Sequence, residues 1–571
     1  MCGIAALIAP AAARYRPHME AMIKELAHRG PDGRGIWADE NCCMGHVRLS
    51  VIDPAGGAQP MSGPHGTIVF NGEIYNFREE RTLCEYPFVT ESDTEYLLAA
   101  YETYGADMCR RLKGMFAFAI WDGSRLVCGR DRFGEKPLYY ATGAGGAFIV
   151  ASEPQAILAS GLITPHVDRL ALAAWLRMGW FPEGMTIFRE IRQLLPGHIL
   201  VHENGALKTE CFWEPPAPAS FSLSLEEAGE EFRRLMDKAV ERCLVADVET
   251  GLLLSGGLDS TTIALVAAEK CRPRSFAFAM DGERNELPYA AAAAKQYGLP
   301  LEKCHIADMD FPALMLELPA IYGEPLADTS CLPTLMLCRH VAASVKCALG
   351  GDGGDELLGG YGWYKGLAAR AAHAGPVSNG WTRHAAAHFQ GRSLCDSPIL
   401  REAGLEPCYP HLPPFMGDTC DDALRMDLTG FLPSDVLKKT DRAAMSRGLE
   451  IRSPFLDGDL ADFLISLPAA MKVGGNGKLV MRHAFGDKWP EVIRKRPKQG
   501  FGMDASLLLR RPDMRELANT YLYAGQLAIH AILPKAWFGK YAKRGDTFSW
   551  ALLVLSIWCQ YAKQRGWLNA G

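Results

Sequence analysis

The stretch LLLSGGLDSTT, residues 252–262, constrains the fold of this 571-residue chain more than any other. Three leucines predict a buried strand, a Ser-Gly-Gly turn follows at once, and a helix begins near Leu258. Further apolar strands follow, RSFAFAM, LEKCHI and KCALGG, and helical segments separate them. This alternation predicts an α/β fold whose parallel sheet is covered by helices on both faces.

The first two hundred residues follow a different pattern. Short runs of β-branched and aromatic residues, such as 66–77 and 114–122, alternate with glycine or aspartate turns. A helix is expected at 92–105, with Ser92 or Asp93 as its N-cap and Gly105 as its stop. The pattern predicts packed sheets covered by helices.

A segment rich in proline, alanine and serine separates the two patterns. The predicted organisation is therefore one domain at 1–210, a linker at 211–224 and a second domain at 225–571. Beyond about residue 360 the second domain is expected to be mostly helical.

Composition argues against several classes of protein. A net charge of −6 provides no general attraction for nucleic acid, and no apolar stretch predicts a membrane span. Seventeen scattered cysteines without a C-x-x-C pair favour reduced thiols in a cytoplasmic protein over a disulfide scaffold or a zinc site. The start MCGIAALI lacks the basic residue that precedes the apolar run of an export signal, so the run at 4–8 is interpreted as a buried strand.

The Ser-Gly-Gly turn has the chemistry of an anion site. Gly256 and Gly257 let backbone N–H groups approach an anion, and the following helix adds the partial charge of its N-terminus. Ser255 and Ser260 add hydroxyl donors. Asp259 would repel a phosphate unless a cation lay between them, and Mg²⁺ is the natural bridge. The alternative is an ordinary glycine turn after a strand.

A second glycine-rich string, LGGDGGDELLGGY at 349–361, follows the strand KCAL. Carboxylates at the ends of neighbouring parallel strands meet where such sheets bind ligands, so Asp355 could share a cation with Asp259. A calcium turn or an exposed bend would give the same string. In RKRPKQGFG, Lys498 could neutralise phosphate charge, although a surface basic loop is the simpler interpretation of that motif alone.

Cys2 becomes a candidate nucleophile once Met1 is removed. The new terminus would carry a thiol and an α-amino group, whose ordinary pKa is about 8. That amine can act as the general base for its own thiol, so the position of the cysteine matters more than any motif spacing.

Other residues of the first half could bind an α-amino acid. Arg48 suits a carboxylate, and Asn71 with the Gly72 N–H could form an oxyanion hole. Glu73 and Asp93 could hold an ammonium group. Each has a structural alternative: Asn-Gly is a common hairpin turn, and an arginine is most often at the surface.

Motifs extend these interpretations along the whole chain. MCGI, HRGPDG, RLSVID, NGEIYN, SDTE, GMFAFAIWD and RDRFGEKPLYY resemble the class II, N-terminal-nucleophile glutamine amidotransferases. SGGLDS resembles the pyrophosphate loop of the N-type ATP pyrophosphatases. With GDGGDE, DRAAMSRGLEIRSPFLD and RPKQGFG, the chain from residue 2 to beyond 500 resembles the glutamine-hydrolysing asparagine synthetases.

This resemblance implies a fold and a reaction. The fold is an Ntn-hydrolase αββα sandwich followed by a doubly wound, parallel-sheet ATP-pyrophosphatase domain with additional helices. Cys2 would release ammonia from glutamine through a thioester. ATP would adenylate the β-carboxylate of aspartate, and ammonia arriving through an interior tunnel would displace AMP. The implied small molecules are glutamine, aspartate, ATP and Mg²⁺, and a homodimer is a family expectation.

The resemblance also assigns residues. The predicted catalytic residues are Cys2, Asn71, Gly72, Asp352 and Lys498. The predicted glutamine-binding residues are Arg48, Asn71, Gly72, Glu73 and Asp93. The predicted ATP-binding residues are Leu254, Ser255, Gly256, Gly257, Asp259, Ser260, Gly350 and Gly351, and the predicted Mg²⁺ ligands are Asp259 and Asp355.

Three departures from the family pattern affect these assignments. Some relatives have glutamate at the position of Asp352, where it is assigned the deprotonation of ammonia, and aspartate is one methylene shorter. Leu349-Gly350-Gly351 replaces the L-S-G of many relatives and lacks its hydroxyl. The segment 76–95 is several residues shorter than usual, which should trim a helix but keep Asp93.

Two other functions compete with asparagine synthesis. Relatives of the same architecture amidate sugar acids, peptides or antibiotic precursors, and the ATP motifs do not separate these acceptors. A β-lactam-synthetase-like cyclase or a regulatory relative is the other alternative. Such relatives generally lose the cysteine or the glutamine-binding set, whereas this chain keeps both.

Overall fold

The computed structural model describes residues 2–217, 223–280, 285–364, 366–367, 392–406, 419–474, 477–496 and 498–568. Met1, whose removal the Cys2 mechanism requires, lies outside the described residues, as does part of the predicted linker at 211–224.

The strands before residue 212 form two six-stranded antiparallel sheets. They are β1 Cys2–Ile8, β2 Gly33–Ala38, β3 Cys42–Arg48, β4 Met61–Gly63, β5 Gly66–Ile74, β6 Gly114–Trp121, β7 Arg125–Arg130, β8 Tyr139–Thr142, β9 Phe148–Ala151, β10 Ile191–Gln193, β11 His198–Glu203 and β12 Ala206–Cys211. The strand orders are β10-β8-β9-β1-β3-β2 and β12-β11-β7-β6-β5-β4.

Apolar residues of alternate strand positions fill the space between these sheets, for example Ile4, Met44, Val69 and Ala119. The helices of this half are α1 Arg16–Glu25, α2 Phe77–Glu80, α3 Asp93–Tyr104, α4 Pro154–Ala159 and α5 Arg169–Met178. α1 and α4 pack on the sheet that contains β1, and α3 packs on the sheet that contains β5. The result is the αββα layer order that the resemblance implied.

Local sequence chemistry sets the bounds of α3. The Ser92 side chain accepts a hydrogen bond from the Thr94 N–H at 3.0 Å, and Gly105 ends the helix with a positive φ of 59°. Gly105 was predicted as the stop, and Ser92 was one of the two predicted N-cap candidates. The helix matters for function because Asp93 is its first residue.

A five-stranded parallel sheet forms the centre of the second half. Its strands are β13 Thr250–Leu253, β14 Ser275–Ala279, β15 Leu301–His305, β16 Cys347–Leu349 and β17 Glu450–Arg452, in the order β15-β14-β13-β16-β17. β14 and β15 lie in turn on one side of β13, and β16 and β17 lie in turn on its other side. Between β13 and β16 lies the switch point where doubly wound sheets bind ligands at their carboxyl ends.

Helices surround this sheet and make up most of the chain after residue 360. They are α6 Leu225–Cys243, α7 Leu258–Lys270, α8 Leu287–Tyr297, α9 Phe311–Tyr322, α10 Cys331–Ala342, α11 Gly354–Leu358, α12 Ser397–Glu402, α13 Thr419–Met426, α14 Lys438–Met445, α15 Gly458–Ser466, α16 Ala469–Lys472, α17 Leu479–Phe485, α18 Glu491–Arg494, α19 Ala505–Arg510, α20 Pro512–Ala518, α21 Lys535–Tyr541 and α22 Thr547–Gln564. Two π-helical segments, Asp427–Leu437 and Asn519–Tyr523, follow α13 and α20. Within the described part of the chain, none of the helices combines the length and apolarity of a membrane span.

Candidate functional site

Cys2 is the first residue of β1, a strand in the interior of its sheet, and its side chain is buried. The Cys2 N–H donates to Asn71 Oδ1 at 2.9 Å, and the Cys2 carbonyl accepts from Arg29 Nε at 3.0 Å. Side chains from two other elements therefore fix both main-chain groups of the candidate nucleophile.

The surroundings of the Cys2 thiol have opposing effects on its charge. Burial raises its pKa, while a hydrogen bond from the Leu49 N–H and the charge of Arg48 favour the thiolate. Burial dominates, so the thiol is protonated at neutral pH and needs a base to react.

Asn71 and Gly72 lie inside β5, opposite Ala117 and Phe116 of β6, and not in a hairpin turn. Gly72 has a φ of 153°, and a Cβ there would lie 2.0 Å from the Met115 carbonyl oxygen, so a side chain would not fit. Asn71 Nδ2 is buried and has no hydrogen-bond partner among the described residues. A buried, unpaired N–H donor beside Cys2 suits a developing oxyanion.

Glu73 and Asp93 are two buried acids in the same region. Glu73 Oε1 lies 3.5 Å from Arg452 Nη2, while Glu73 Oε2 has no partner among the described residues. Asp93 Oδ2 accepts a hydrogen bond from the Ile74 N–H at 3.1 Å. Burial raises the pKa of Asp93 to about 6 and the pKa of Glu73 well above its ordinary value. A cationic group placed between them would restore both charges.

Arg48 lies opposite Cys2 in the β1–β3 pairing. Its guanidinium donates to the carbonyls of Ile52, Asp53 and Pro54 at 3.1, 2.6 and 2.8 Å. These contacts hold the 52–54 loop beside the candidate nucleophile. The predicted glutamine-binding residues therefore come from β3, β5 and α3.

A cavity of about 370 Å³ opens at the carboxyl ends of β13 and β16. Every residue predicted to bind ATP lines it, namely Leu254, Ser255, Gly256, Gly257, Asp259, Ser260, Gly350 and Gly351, together with Asp352, Asp355 and Lys498. The switch point of the parallel sheet thus brings the glycine-rich strings and the basic loop together.

The loop before α7 has a shape that requires glycine. Gly256 has a φ of 69°, and a Cβ there would lie 2.5 Å from Tyr289 Cβ and from the Ala290 backbone nitrogen. Ser260 Oγ accepts from the Ser255 N–H at 3.2 Å, which closes the loop onto the start of the helix. The loop therefore holds an open turn at the N-terminus of α7.

Two lysines compensate the charges of two aspartates in this cavity. Lys478 contacts Asp259 and lies 2.6 Å from Asp355 Oδ1, and Lys498 also contacts Asp355. Burial alone would raise the pKa of Asp355, but the two lysines hold it below its ordinary value. Burial raises the pKa of Asp259. Because Lys478 contacts both aspartates, both lie within reach of a single cationic group.

These carboxylates fit the predicted Mg²⁺ in their chemistry. Oxygen ligands are what Mg²⁺ prefers, and a nucleotide would supply phosphate oxygens to complete its coordination. Lys478 Nζ lies between Asp259 and Asp355 and marks where positive charge is favoured.

Several residues of this cavity were not predicted from the sequence. Lys478, which contacts both aspartates, lies in GGNGKLV, whose glycine-flanked lysine resembles the Lys498 signal. Arg496 donates to the Gly256 carbonyl at 3.0 Å and stacks over the Tyr289 ring at 4.3 Å. It also contacts Glu286, which lines the cavity.

Asp352 lines the same cavity. Burial raises its pKa, and a hydrogen bond from the Thr440 hydroxyl partly offsets this effect. The raised pKa makes the Asp352 carboxylate a stronger base than that of an exposed aspartate.

Family comparisons agree with this division into two sites. Residues 1–213 match the glutamine amidotransferase domain family, and residues 231–560 match the asparagine synthase family. Fold and sites together define an amidotransferase joined to an ATP-dependent synthetase.

Curated relatives extend this likeness over most of the chain. Asparagine synthetase 3 (glutamine-hydrolysing) of Bacillus subtilis is 31% identical over 88% of this chain and 87% of its own length. Asparagine synthetase 1 of the same organism is 30% identical over 92% of this chain and 90% of its own length. Amidase chry2 of Gibberella zeae is 29% identical over 84% of both chains. The chain belongs to the family of glutamine-hydrolysing asparagine synthetases.

Proposed function

We propose that this protein makes asparagine from aspartate, ATP and glutamine, releasing AMP, pyrophosphate and glutamate. The proposal rests on one observation above all. The same chain holds a terminal-cysteine site with unpaired donors and acids, and a switch-point cavity lined by the complete predicted ATP set.

In the first half-reaction, Cys2 attacks the side-chain amide carbon of glutamine. After removal of Met1, the Cys2 amine takes the thiol proton and gives it to the leaving nitrogen, which departs as ammonia. Asn71 Oδ1, which accepts from the Cys2 nitrogen, would orient that amine. Asn71 Nδ2 and the Gly72 N–H would bind the oxyanion. Water then hydrolyses the thioester to glutamate.

Three side chains would hold the amino-acid part of glutamine. Arg48 would bind the α-carboxylate, and Glu73 with Asp93 would bind the α-ammonium. The raised pKa values of the two acids support this role, because a bound ammonium offsets the cost of burying their charges.

In the second half-reaction, the carboxylate oxygen of aspartate attacks the α-phosphorus of ATP and expels pyrophosphate. The loop at 255–260 and the N-terminus of α7 would bind the departing phosphates, and Lys478 and Lys498 would neutralise the charge that develops on them. Asp259 and Asp355 would hold Mg²⁺, which supplies further charge neutralisation when bound.

Ammonia then attacks the acyl carbon of the mixed anhydride, and AMP leaves. The attacking nitrogen must lose a proton in this step. Asp352 would accept it, since its raised pKa suits a base and it lines the cavity beside Asp355. The shorter side chain of aspartate, compared with glutamate, is compatible with this role if the acceptor approaches the 350–352 loop closely.

A panel of carboxylic acids tests the acceptor. With ammonia as nitrogen donor, AMP and pyrophosphate release is measured for aspartate, glutamate, a sugar acid, a short peptide and a buffer blank. Aspartate is expected to give the highest kcat/KM. Release of AMP with another acid, and none with aspartate, would reject asparagine synthesis while keeping the two half-reactions.

A different carboxylate acceptor is the second candidate function, and one observation favours it. A further cavity of about 650 Å³ adjoins the first, and Asp328 and Phe431 line both. Such a volume would accommodate an acceptor larger than aspartate. In the panel, this candidate predicts that the peptide or sugar acid exceeds aspartate.

A further inference from the structure

Consecutive side chains of α14 (Lys438–Met445) contact residues of both candidate sites. Lys439 Nζ lies 2.6 Å from Asp328 Oδ2, and the next residue, Thr440, lies beside Asp352. All four of these residues line the 370 Å³ cavity. A ligand that fills the cavity therefore meets the first turn of α14.

The next residue on α14 faces the amidotransferase half. Asp441 receives two parallel hydrogen bonds from Arg29, Nη1 to Oδ2 at 2.9 Å and Nη2 to Oδ1 at 3.0 Å. The third nitrogen of the same guanidinium, Nε, donates to the Cys2 carbonyl at 3.0 Å. One planar group thus joins α14 directly to the candidate nucleophile.

Packing leaves this connection little freedom. Arg29 and Glu153 are both 0% exposed, and Asp441 is 5% exposed. Glu153 Oε1 accepts from Arg29 Nη1 at 2.8 Å and contacts Arg442, the residue after Asp441. A guanidinium fixed at all three nitrogens in a close-packed interior moves as a rigid body with its partners.

We propose that Arg29 and Asp441 are positioning residues that couple the two half-reactions. Binding of Mg-ATP and the acceptor acts on Lys439 and Thr440, shifts α14, and through the Arg29 guanidinium sets the position of the Cys2 main chain. The attacking sulfur reaches its reactive geometry more often when the synthetase cavity is filled. Ammonia is then released mainly when an activated acceptor is ready to use it.

This coupling rests on the proposed two-site function. It predicts the ratio of the glutaminase kcat with the synthetase ligands to the glutaminase kcat without them. Glutamate release is measured with saturating glutamine, first alone and then with Mg-ATP and the acceptor identified by the carboxylate panel. In the wild-type enzyme the ligands are expected to raise the glutaminase kcat by about fivefold or more, as for a typical coupling between two sites. The KM for glutamine should change little, because among the described residues no hydrogen bond or ion pair joins the expected glutamine-binding side chains to α14.

Asp441→Asn is the main test, because it keeps the side-chain shape and removes the carboxylate that receives the two parallel hydrogen bonds of Arg29, while Glu153, which contacts both Arg29 and Arg442, stays in place. The ratio of stimulated to basal glutaminase kcat should fall to about 1, while ammonia-dependent synthesis stays within about threefold of the wild type. Arg29→Lys is a second variant that keeps the charge but cannot bond Cys2 and Asp441 together, and it should give the same ratio. If Asp441→Asn lacks ammonia-dependent synthesis because it misfolds, the Arg29→Lys ratio decides.

Lys346→Met is the matched control. Lys346 Nζ pairs with Asp32 Oδ2 at 2.8 Å, also between the two halves, but the pair is half-exposed and does not involve α14. This variant should keep the wild-type ratio. An unstimulated wild type, or wild-type ratios in Asp441→Asn and Arg29→Lys, would overturn the coupling. Failure of asparagine synthesis is a separate result, since it appears as absent aspartate-dependent AMP release with ammonia.

Discussion

Around Cys2, buried polar groups are left without partners, whereas in the cavity at the ends of β13 and β16 buried acids are compensated by lysines. Asn71 Nδ2 and Glu73 Oε2 have no hydrogen-bond partner among the described residues. In the second site, Lys478 contacts both Asp259 and Asp355. The first site lacks the charged groups that a zwitterionic amino acid would supply. In the second site the aspartates and lysines already pair with each other, and a polyphosphate with its cation would replace these partners.

This difference indicates how each site uses its ligand. Unpaired buried groups cost free energy, roughly 1–3 kcal/mol each, until a ligand pairs them. A substrate that pairs them gains affinity and orientation together. Preformed ion pairs are stable without ligand, so binding must rearrange them, and the cations are then available to the phosphates. The following predictions test this contrast, from the largest expected effect to the smallest.

Cys2→Ala should separate the two sites completely. Glutamine-dependent synthesis is expected to fall by more than about 10⁴-fold, since the nucleophile is lost, while ammonia-dependent synthesis stays within about twofold. Steady-state AMP release with each nitrogen donor gives both values. Cys271→Ala, at an exposed thiol, is the control and should change neither. Equal loss of both activities in Cys2→Ala would contradict the two-site account.

Lys478→Met should give the opposite separation. Removing the ammonium group that contacts both aspartates is expected to slow synthesis by about 10³-fold with either nitrogen donor, because phosphate charge is no longer neutralised. Basal glutaminase activity should remain within about twofold. Lys495→Met is the matched control, since Lys495 is exposed and pairs with Glu491 at 2.5 Å. A synthesis rate near wild type in Lys478→Met would remove Lys478 from the mechanism.

Asn71→Ala should reduce the glutaminase kcat by about 10²-fold, as expected when one oxyanion donor is removed. The ammonia-dependent rate should not change. Single-turnover thioester formation is the measurement, and Asn41→Ala, in an exposed turn, is the control. A change confined to the KM for glutamine would show that Asn71 binds substrate without stabilising the oxyanion.

Asp93 should make glutamine use depend on pH. Burial raises its pKa to about 6, so the carboxyl is neutral below pH 6 and ionised above it. Because only the carboxylate attracts the ammonium of glutamine, the fall of kcat/KM with decreasing pH should steepen by about a further tenfold per pH unit below about pH 6, beyond the fall caused by protonation of the Cys2 amine. Asp93→Asn should lack this inflection and bind glutamine weakly at every pH. The exposed Asp107→Asn should keep the wild-type profile.

Local sequence signals predicted the elements that position both sites. The caps of α3, the glycine turn before α7 and four of the five parallel strands follow from patterns within about ten residues. The fifth strand, β17, has three residues and was not predicted, because so short a run has no recognisable period. Its Arg452 nevertheless reaches Glu73, so one contact of the first site comes from the second half.

The properties that arise at long range could not be predicted. Lys478 and Lys498 both lie in glycine-flanked basic motifs, and only the folded chain shows that Lys478 contacts two aspartates. The Arg29–Asp441 pair joins residues 412 positions apart. Side-chain pairing at such separations depends on how the sheets and helices pack, which a single sequence does not encode in any local pattern.

The transfer of nitrogen from glutamine to the acceptor tests the central claim most directly. The enzyme is given glutamine labelled with ¹⁵N in its side-chain amide, together with Mg-ATP and aspartate, and the products are analysed by mass spectrometry. The account predicts asparagine labelled in its side-chain amide, in amounts equal to the AMP formed, and none in Cys2→Ala. Label found only in free ammonia, or in the amide of another acid and not in asparagine, would contradict it.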